Sequence, residues 1–258
     1  MTDAGRAQVV RDGLVRDLRA LGVAAGDLVM VHTSMRKVGR VEGGADTVVA
    51  ALDEVAGVDG TIVVVLGAPD LETPFDHLGT PADPDVGILP EIVRRTPGTV
   101  VDAHPDGRFG VRGALAGELL ADLPWNDYYG PGSVLERLVQ RGGKVLRLGA
   151  DLDTVTLIHY AEYLAPVADK RRVRRVHRVL TGDVVEERTV ECLDDSTGIV
   201  DHPGEDYFAQ LLRAYLATGR AAVGTVGNAT SELIDAADLV AFAVNWMAAN
   251  LAGGSRSS

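Results

Sequence analysis

The apolar residues of this 258-residue chain change period repeatedly along its length, and each change marks an element. Val9, Val10, Leu14, Leu18 and Leu21 recur at helical spacing, with Thr2 or Asp3 placed to cap the helix and Gly22 to stop it. DLVMVH, residues 27 to 32, reads as a strand, and TSMRKVGRVEGG as a glycine-bearing loop into a helix carrying Val48, Val49, Leu52 and Val55. GTIVVVLG, residues 60 to 67, is an unbroken β-branched run of the kind buried on both faces of a sheet. Helix, strand, helix, strand in succession predicts a parallel sheet.

The pattern lapses over residues 68 to 87, where four prolines and little periodicity predict a long loop; loops of that length in compact domains are functional or disordered. ILPEIVRR then reads as a short helix, GTVVDAHP and GRFGVRG as strand-like, residues 114 to 122 as a helix, and SVLERLVQRG as a helix capped by Ser133. KVLRLGA is another buried strand. RRVRRVHRVL and VVEERTVECL flank the turn TGD, residues 181 to 183, as a β-hairpin. A helix EDYFAQLLRAYLA, a strand-like AAVGTVG and a long apolar helix over residues 235 to 250 complete the chain. The expected fold is α/β, with a central mostly parallel sheet flanked by helices and an antiparallel β-hairpin appendage near residues 172–192. A single domain over 1–252 with a disordered tail at 253–258 is expected.

A hydrophobic content of 46% with 24% charged residues is the balance of a folded globular chain. The formal charge of −12 argues against a nucleic-acid partner, which needs a basic stripe. The one basic run, residues 169 to 178, interleaves Arg172, Arg174, His177 and Arg178 with Val173, Val176 and Val179, and reads as a solvated strand face. The lone Cys192 forms no internal disulfide, and no segment reaches the roughly 20 unbroken apolar residues of a bilayer span. A cytoplasmic protein without a membrane partner is expected. The six histidines show no HExxH or paired spacing, so no metal site is expected.

Candidate chemistry concentrates in TVTLIHYAEYLA, residues 154 to 165, where His159 and Glu162 stand three positions apart in an apolar, helix-shaped run. Residues so spaced share a helix face, so the carboxylate can hold the imidazole in one tautomer or stabilise its cation. With a reference pKa of about 6.5, such a ring can accept a proton near neutrality, as a general base must. The spacing alone leaves an ordinary helix-surface pair open.

The surrounding sequence narrows the choice. LVMVHTSMRKVGRVEGGADTVVAAL, DAHPDGRFGVRG and YYGPGSVLERLVQRGGKVLRLGADLDTVTLIHYAEY resemble, in order and spacing, the aminoglycoside 3-N-acetyltransferase family, through most of residues 5 to 250. The family's strand-end VH-S-R segment, its HP dipeptide and its T-x-x-H-x-x-E helix stand here as His32-Thr33-Ser34-Met35-Arg36, His104-Pro105 and Thr156 to Glu162. Arg108-Phe109-Gly110 departs from the serine and small residues common in members, Val155 from an asparagine, and Asp151-Leu152 from a glycine-histidine pair.

The resemblance implies transfer of an acetyl group from acetyl-coenzyme A to the 3-amino group of an aminoglycoside antibiotic, in a ternary complex, as in antibiotic resistance. His159 would take the amine proton, Glu162 orient the ring, and the Thr156 hydroxyl meet the developing oxyanion. Thr33, Ser34, Met35, Arg36 and Val38, with Lys37 and Arg40 nearby, would hold the coenzyme, and His104 would line its channel. Asp70, Glu72, Asp194, Asp195 and Asp206 are candidate partners for the cationic acceptor; Asp206, beside Glu205, equally suits a helix N-terminus. The same chemistry on another amine, or a noncatalytic binding protein, stays open, and a metal-dependent hydrolase is disfavoured by the absence of ligand spacing.

Overall fold

The structure, a computed structural model, describes residues 8–69 and 72–251. The cap expected at Thr2 or Asp3, the candidate Asp70 and the expected tail at 253–258 therefore lie outside the described residues. In chain order the elements are α1 (Arg11–Leu21), β1 (Leu28–Thr33), α2 (Met35–Val38), α3 (Gly44–Ala56), β2 (Thr61–Val65), α4 (Ile88–Arg95), β3 (Thr99–Val101), β4 (Phe109–Gly113) and α5 (Ala116–Leu119). They continue with α6 (Val134–Gln140), β5 (Lys144–Leu148), α7 (Leu157–Leu164), β6 (Arg172–Thr181), β7 (Val184–Leu193), α8 (Tyr207–Leu216), β8 (Ala222–Val226), β9 (Ala229–Asp235) and α9 (Ala236–Asn250).

Seven strands form one mixed sheet in the order β3-β4-β2-β1-β5-β9-β8. β1 lies parallel to both β2 and β5 at its centre, and the outer pairings are antiparallel. Strand alternation sends successive side chains to opposite layers. Leu28 and Met30 of β1 join Val63, Val145 and residues of α5 through α9 in one core, while Val29 and Val31 join Ile62, Val64, Leu146 and residues of α1, α3 and α4 in the other. Burial on both faces explains the unbroken valine and isoleucine run of β2 and the apolar LVMV of β1.

Three local expectations are corrected. α1 begins only at Arg11, because Val9 is drawn into a parallel bridge with Val41 and its N–H bonds the Arg40 carbonyl at 2.9 Å. Of the helix expected over 114 to 122, only Ala116–Leu119 is helical. β9 was not expected: ATSELID carries Glu232 inside a strand buried between β5 and β8, and that carboxylate is tolerable there because Arg147 on β5 meets it at 2.8 Å.

The hairpin forms as expected, with β6 and β7 turning through Gly182 and Asp183. Its alternation differs from the sequence reading. Val173, Arg175, His177 and Val179 face inward, and Arg172, Arg174, Arg178 and the 59%-exposed Val176 face outward. The inner face packs over the segment before α6, where the Trp125 indole donates to the Thr189 carbonyl at 2.8 Å.

Candidate active site

The carboxyl ends of β1, β2 and β5 open into a cavity of about 730 Å³. Such a crevice, beside the strand from which crossovers depart in both directions, is where open α/β sheets bind ligands. Its walls include His32 to Arg36 from the end of β1 and α2, Val65 from β2, Asp85 to Ile88 from the end of the long loop, and Ala150 to Thr156 after β5. The His32 Nε2 and Thr33 Oγ1 atoms in this wall are buried without a hydrogen-bond partner in the protein. Burial, then the charge of Arg147, pushes His32 down to about 4, so it is a neutral ring at neutral pH.

α7 begins at the same cavity. Thr156 is its N-cap residue, and its hydroxyl makes no capping bond to the helix. One turn on, the His159 Nδ1 lies 2.7 Å from Glu162 Oε2. The Glu162 side chain is 1% exposed and His159 16%. A carboxylate only accepts, so Nδ1 carries the proton and donates it, and Nε2 keeps its lone pair. The second Glu162 oxygen accepts the Tyr207 hydroxyl, which in turn accepts the Ile199 N–H at 3.2 Å. The imidazole stacks on Tyr129 with ring centroids 5.0 Å apart and is crossed by Phe208. Burial lowers its proton affinity, but the charge and hydrogen bond of Glu162, then Asp195 and Asp206, more than offset this and raise His159 above its ordinary 6.5.

His159 lines a second cavity of about 210 Å³, together with Asp153, Asp195, Asp206, Tyr207 and Phe208. Asp153 and Asp195 stand in the walls of both cavities, so the two share a boundary made of carboxylates.

The candidates divide by place. Thr33, Ser34, Met35, Arg36 and Thr156 line the larger cavity, Asp195 both, and His159 and Asp206 the smaller. Asp206 also caps α8, accepting the Phe208 N–H at 2.6 Å. Val38 is fully buried in the core below α2. His104, 5% exposed, donates from Nε2 to the Trp125 carbonyl at 2.8 Å and accepts the Asp106 and Gly107 N–H groups at Nδ1. Its ring braces that turn away from both cavities, and burial first of all pushes it down to about 4. Glu72 borders a separate cavity beside Phe75 and Arg178. Asp194 is turned into its own loop, where it accepts the Ser196 and Thr197 N–H groups. Arg36 is exposed, and Lys37 pairs with Asp151 at 2.6 Å.

Sequence reasoning passed over Tyr207 and Phe208, which line the smaller cavity, and Tyr129, which stacks on the His159 ring. Asp153 had a signal, its place six positions before His159, which reads as a helix cap; Thr156 holds the N-cap position instead, and Asp153 lines both cavities. The three aromatic residues had none, because their positions relative to His159 depend on how α8 and the turn before α6 dock.

Comparison with known proteins agrees with the fold. A family model described as aminoglycoside 3-N-acetyltransferase matches residues 30–248. Aminoglycoside N(3)-acetyltransferase VII of Streptomyces paromomycinus is 41% identical, over 93% of this chain and 91% of that protein. Among solved structures, AAC-IIIb in binary complex with CoASH superposes with a TM-score of 0.92 at 38% identity, covering 96% of this chain and 100% of the other. AAC-VIa bound to sisomicin does so with 0.89 at 37% identity, covering 96% and 100%. The fold is that of an α/β acyltransferase. The chain belongs to the aminoglycoside 3-N-acetyltransferase family. No helix among the described residues is long and apolar enough to cross a membrane.

Proposed function

We propose that this protein transfers the acetyl group of acetyl-coenzyme A directly to the 3-amino group of an aminoglycoside, with both substrates bound at once. The observation that carries the reading is the shared boundary at Asp153 and Asp195. It lets a donor in the larger cavity and an amine in the smaller one meet beside His159. The larger cavity suits the coenzyme through the unpartnered His32 and Thr33 groups and the rim cation Arg36. At about 210 Å³ the acidic cavity is smaller than the usual range for a whole drug-sized ligand, so it receives the reacting ring and leaves the rest of the polycation outside. Coenzyme A and the aminoglycoside bound to relatives of this chain match these two demands.

An ammonium ion has no lone pair, so it must lose a proton before its nitrogen attacks the thioester. His159 Nε2 takes that proton, Glu162 holds the opposite ring nitrogen, and general-base assistance of this kind is worth roughly 10²- to 10⁴-fold. As the nitrogen bonds the thioester carbon, negative charge develops on the carbonyl oxygen, and the uncommitted Thr156 hydroxyl donates to it. Collapse of the tetrahedral centre breaks the C–S bond, the proton held on His159 passes to the leaving thiolate, and the second proton of the nitrogen goes to solvent. Arg36, Met35, Ser34 and Thr33 position the coenzyme, and Asp195 and Asp206 the acceptor cation. The chain acts as one domain, in the cytoplasm, where a single buried cysteine meets no oxidant.

Thiol release from acetyl-coenzyme A, followed with a panel of aminoglycosides, tests the reading. Release should depend on an acceptor bearing a 3-amino group. Release that appears only with an unrelated amine, or with none, overturns it.

A further inference from the structure

The hairpin carries charged groups on the face it turns toward the site. Arg175, inward on β6, donates to one oxygen of Asp195 and, at 2.9 Å, to the Tyr128 hydroxyl. Tyr128 donates its own proton to the other Asp195 oxygen, closing a ring of three hydrogen bonds. The same guanidinium lies 3.6 Å from Asp106, which pairs with His177 two residues further along β6 at 2.9 Å. Neither Arg175 nor Asp195 is a surface group: their side chains are 26% and 17% exposed. Asp195 is one of the two carboxylates, with Asp153, that stand in both cavities.

We propose that Arg175 is a positioning residue for acetyl transfer: it fixes the Asp195 carboxylate in the wall shared by the two cavities and balances its charge beside the His159 ring. The proposal rests on the reading of His159 as the base. The imidazole faces Glu162 on its own helix, Tyr129 from the turn before α6, Asp153 from the segment after β5, Asp195 from the loop after β7, and Asp206, Tyr207 and Phe208 from the start of α8. Lys170 acts on the group from further off, through Glu162. Carboxylates therefore dominate that field, and Asp195 and Asp206 both favour the protonated ring. A ring held permanently as imidazolium cannot serve as a base. Asp195 nonetheless has to stay ionised to attract a cationic acceptor. An arginine meets both demands, because its charge persists at every working pH and its fork holds the carboxylate in one orientation. A hairpin that reads as an appendage in sequence thus supplies a part of the site.

The test is the pH profile of kcat/KM, whose acid limb reports protonation of the base in the free enzyme. Arg175→Gln keeps a hydrogen-bonding group but removes the charge. Asp195 is then unbalanced, the imidazolium is favoured, and the acid limb should move up by roughly 0.5 to 1 pH unit. Asp195→Asn should move it down by a similar amount, the double variant should return near the wild-type position, and Arg175→Lys should hold it there. A merely structural arginine would instead lower the rate equally at all pH values. An unmoved limb in folded Arg175→Gln overturns the proposal, and so, if that variant fails to fold, does an unmoved limb in Asp195→Asn. NMR titration of the His159 ring in the same proteins reads the coupling without turnover. A shift in that titration with no matching limb in the wild-type rate profile would sink the base assignment while leaving the Arg175 coupling intact.

Discussion

Replacing Glu162 by glutamine changes one buried atom and, through the hydrogen bonds around it, the tautomer of His159. In the native arrangement both carboxylate oxygens accept, one from His159 Nδ1 and one from the Tyr207 hydroxyl. Tyr207 already accepts the Ile199 N–H, so its own proton needs an acceptor in a buried place. The glutamine oxygen must therefore face Tyr207, which leaves the amide NH₂ facing the imidazole. Nδ1 then has to accept, the ring proton moves to Nε2, and the lone pair required for proton abstraction is gone. Turning the amide to restore the working tautomer orphans the tyrosine proton at a cost of about 1–3 kcal/mol, or about 5- to 150-fold in population. Loss of the charge that steadies the forming imidazolium adds roughly another tenfold. The expected result is a kcat lowered roughly 10²- to 10³-fold, with coenzyme affinity by calorimetry unchanged. Adding Tyr207→Phe removes the constraint on the amide and should recover about tenfold of the loss. Steady-state thiol release at saturating substrates decides it: Glu162→Gln retaining more than a tenth of kcat, or no recovery in the double variant, refutes the tautomer argument.

Arg108, 0% exposed, donates to the carbonyls of Gly67, His77, Thr80 and Pro81 and so ties down the long loop. Arg108→Met leaves those acceptors unmatched and should cost about 3 kcal/mol or more, read as a lower urea midpoint with faster proteolysis between residues 72 and 82; a loss below about 1 kcal/mol contradicts this role. The raised proton affinity of His159 sets a sign for pH: kcat/KM should fall as pH drops through a value above 6.5. Stability runs the opposite way, since a group whose folded pKa exceeds its unfolded value stabilises fully below about 6.5 and stops doing so as pH rises through the folded value. Urea midpoints of the wild type and His159→Gln should therefore converge with rising pH, and a gap that widens would show the sign to be wrong.

Local patterns reached far into this protein. The i, i+3 spacing of His159 and Glu162 already implied a shared helix face, and their side chains meet there at 2.7 Å. The β-branched run of β2 and the apolar stretches of β1 and β5 announced buried strands, the Ser133 cap and the Gly22 stop fall where local backbone chemistry places them, and TGD turns the hairpin. These features depend on neighbours within a few residues, so a linear reading captures them.

Tertiary structure decided whatever depends on a distant partner. β9 stayed hidden because Glu232 looks unfit for a buried strand until Arg147, 85 positions away, is seen beside it. Among the acidic candidates, Asp195 and Asp206 reach the cavities, while Asp194 closes its own turn and Glu72 borders another hollow. Composition cannot rank such residues, since a carboxylate costs the chain the same few letters wherever it ends up. Tyr207 and Arg175 carried no local sign at all, for each acquires its role only when a helix or a strand from elsewhere docks against α7 and its loops. Period and caps are properties of adjacent residues, whereas a charge is defined by what surrounds it in space.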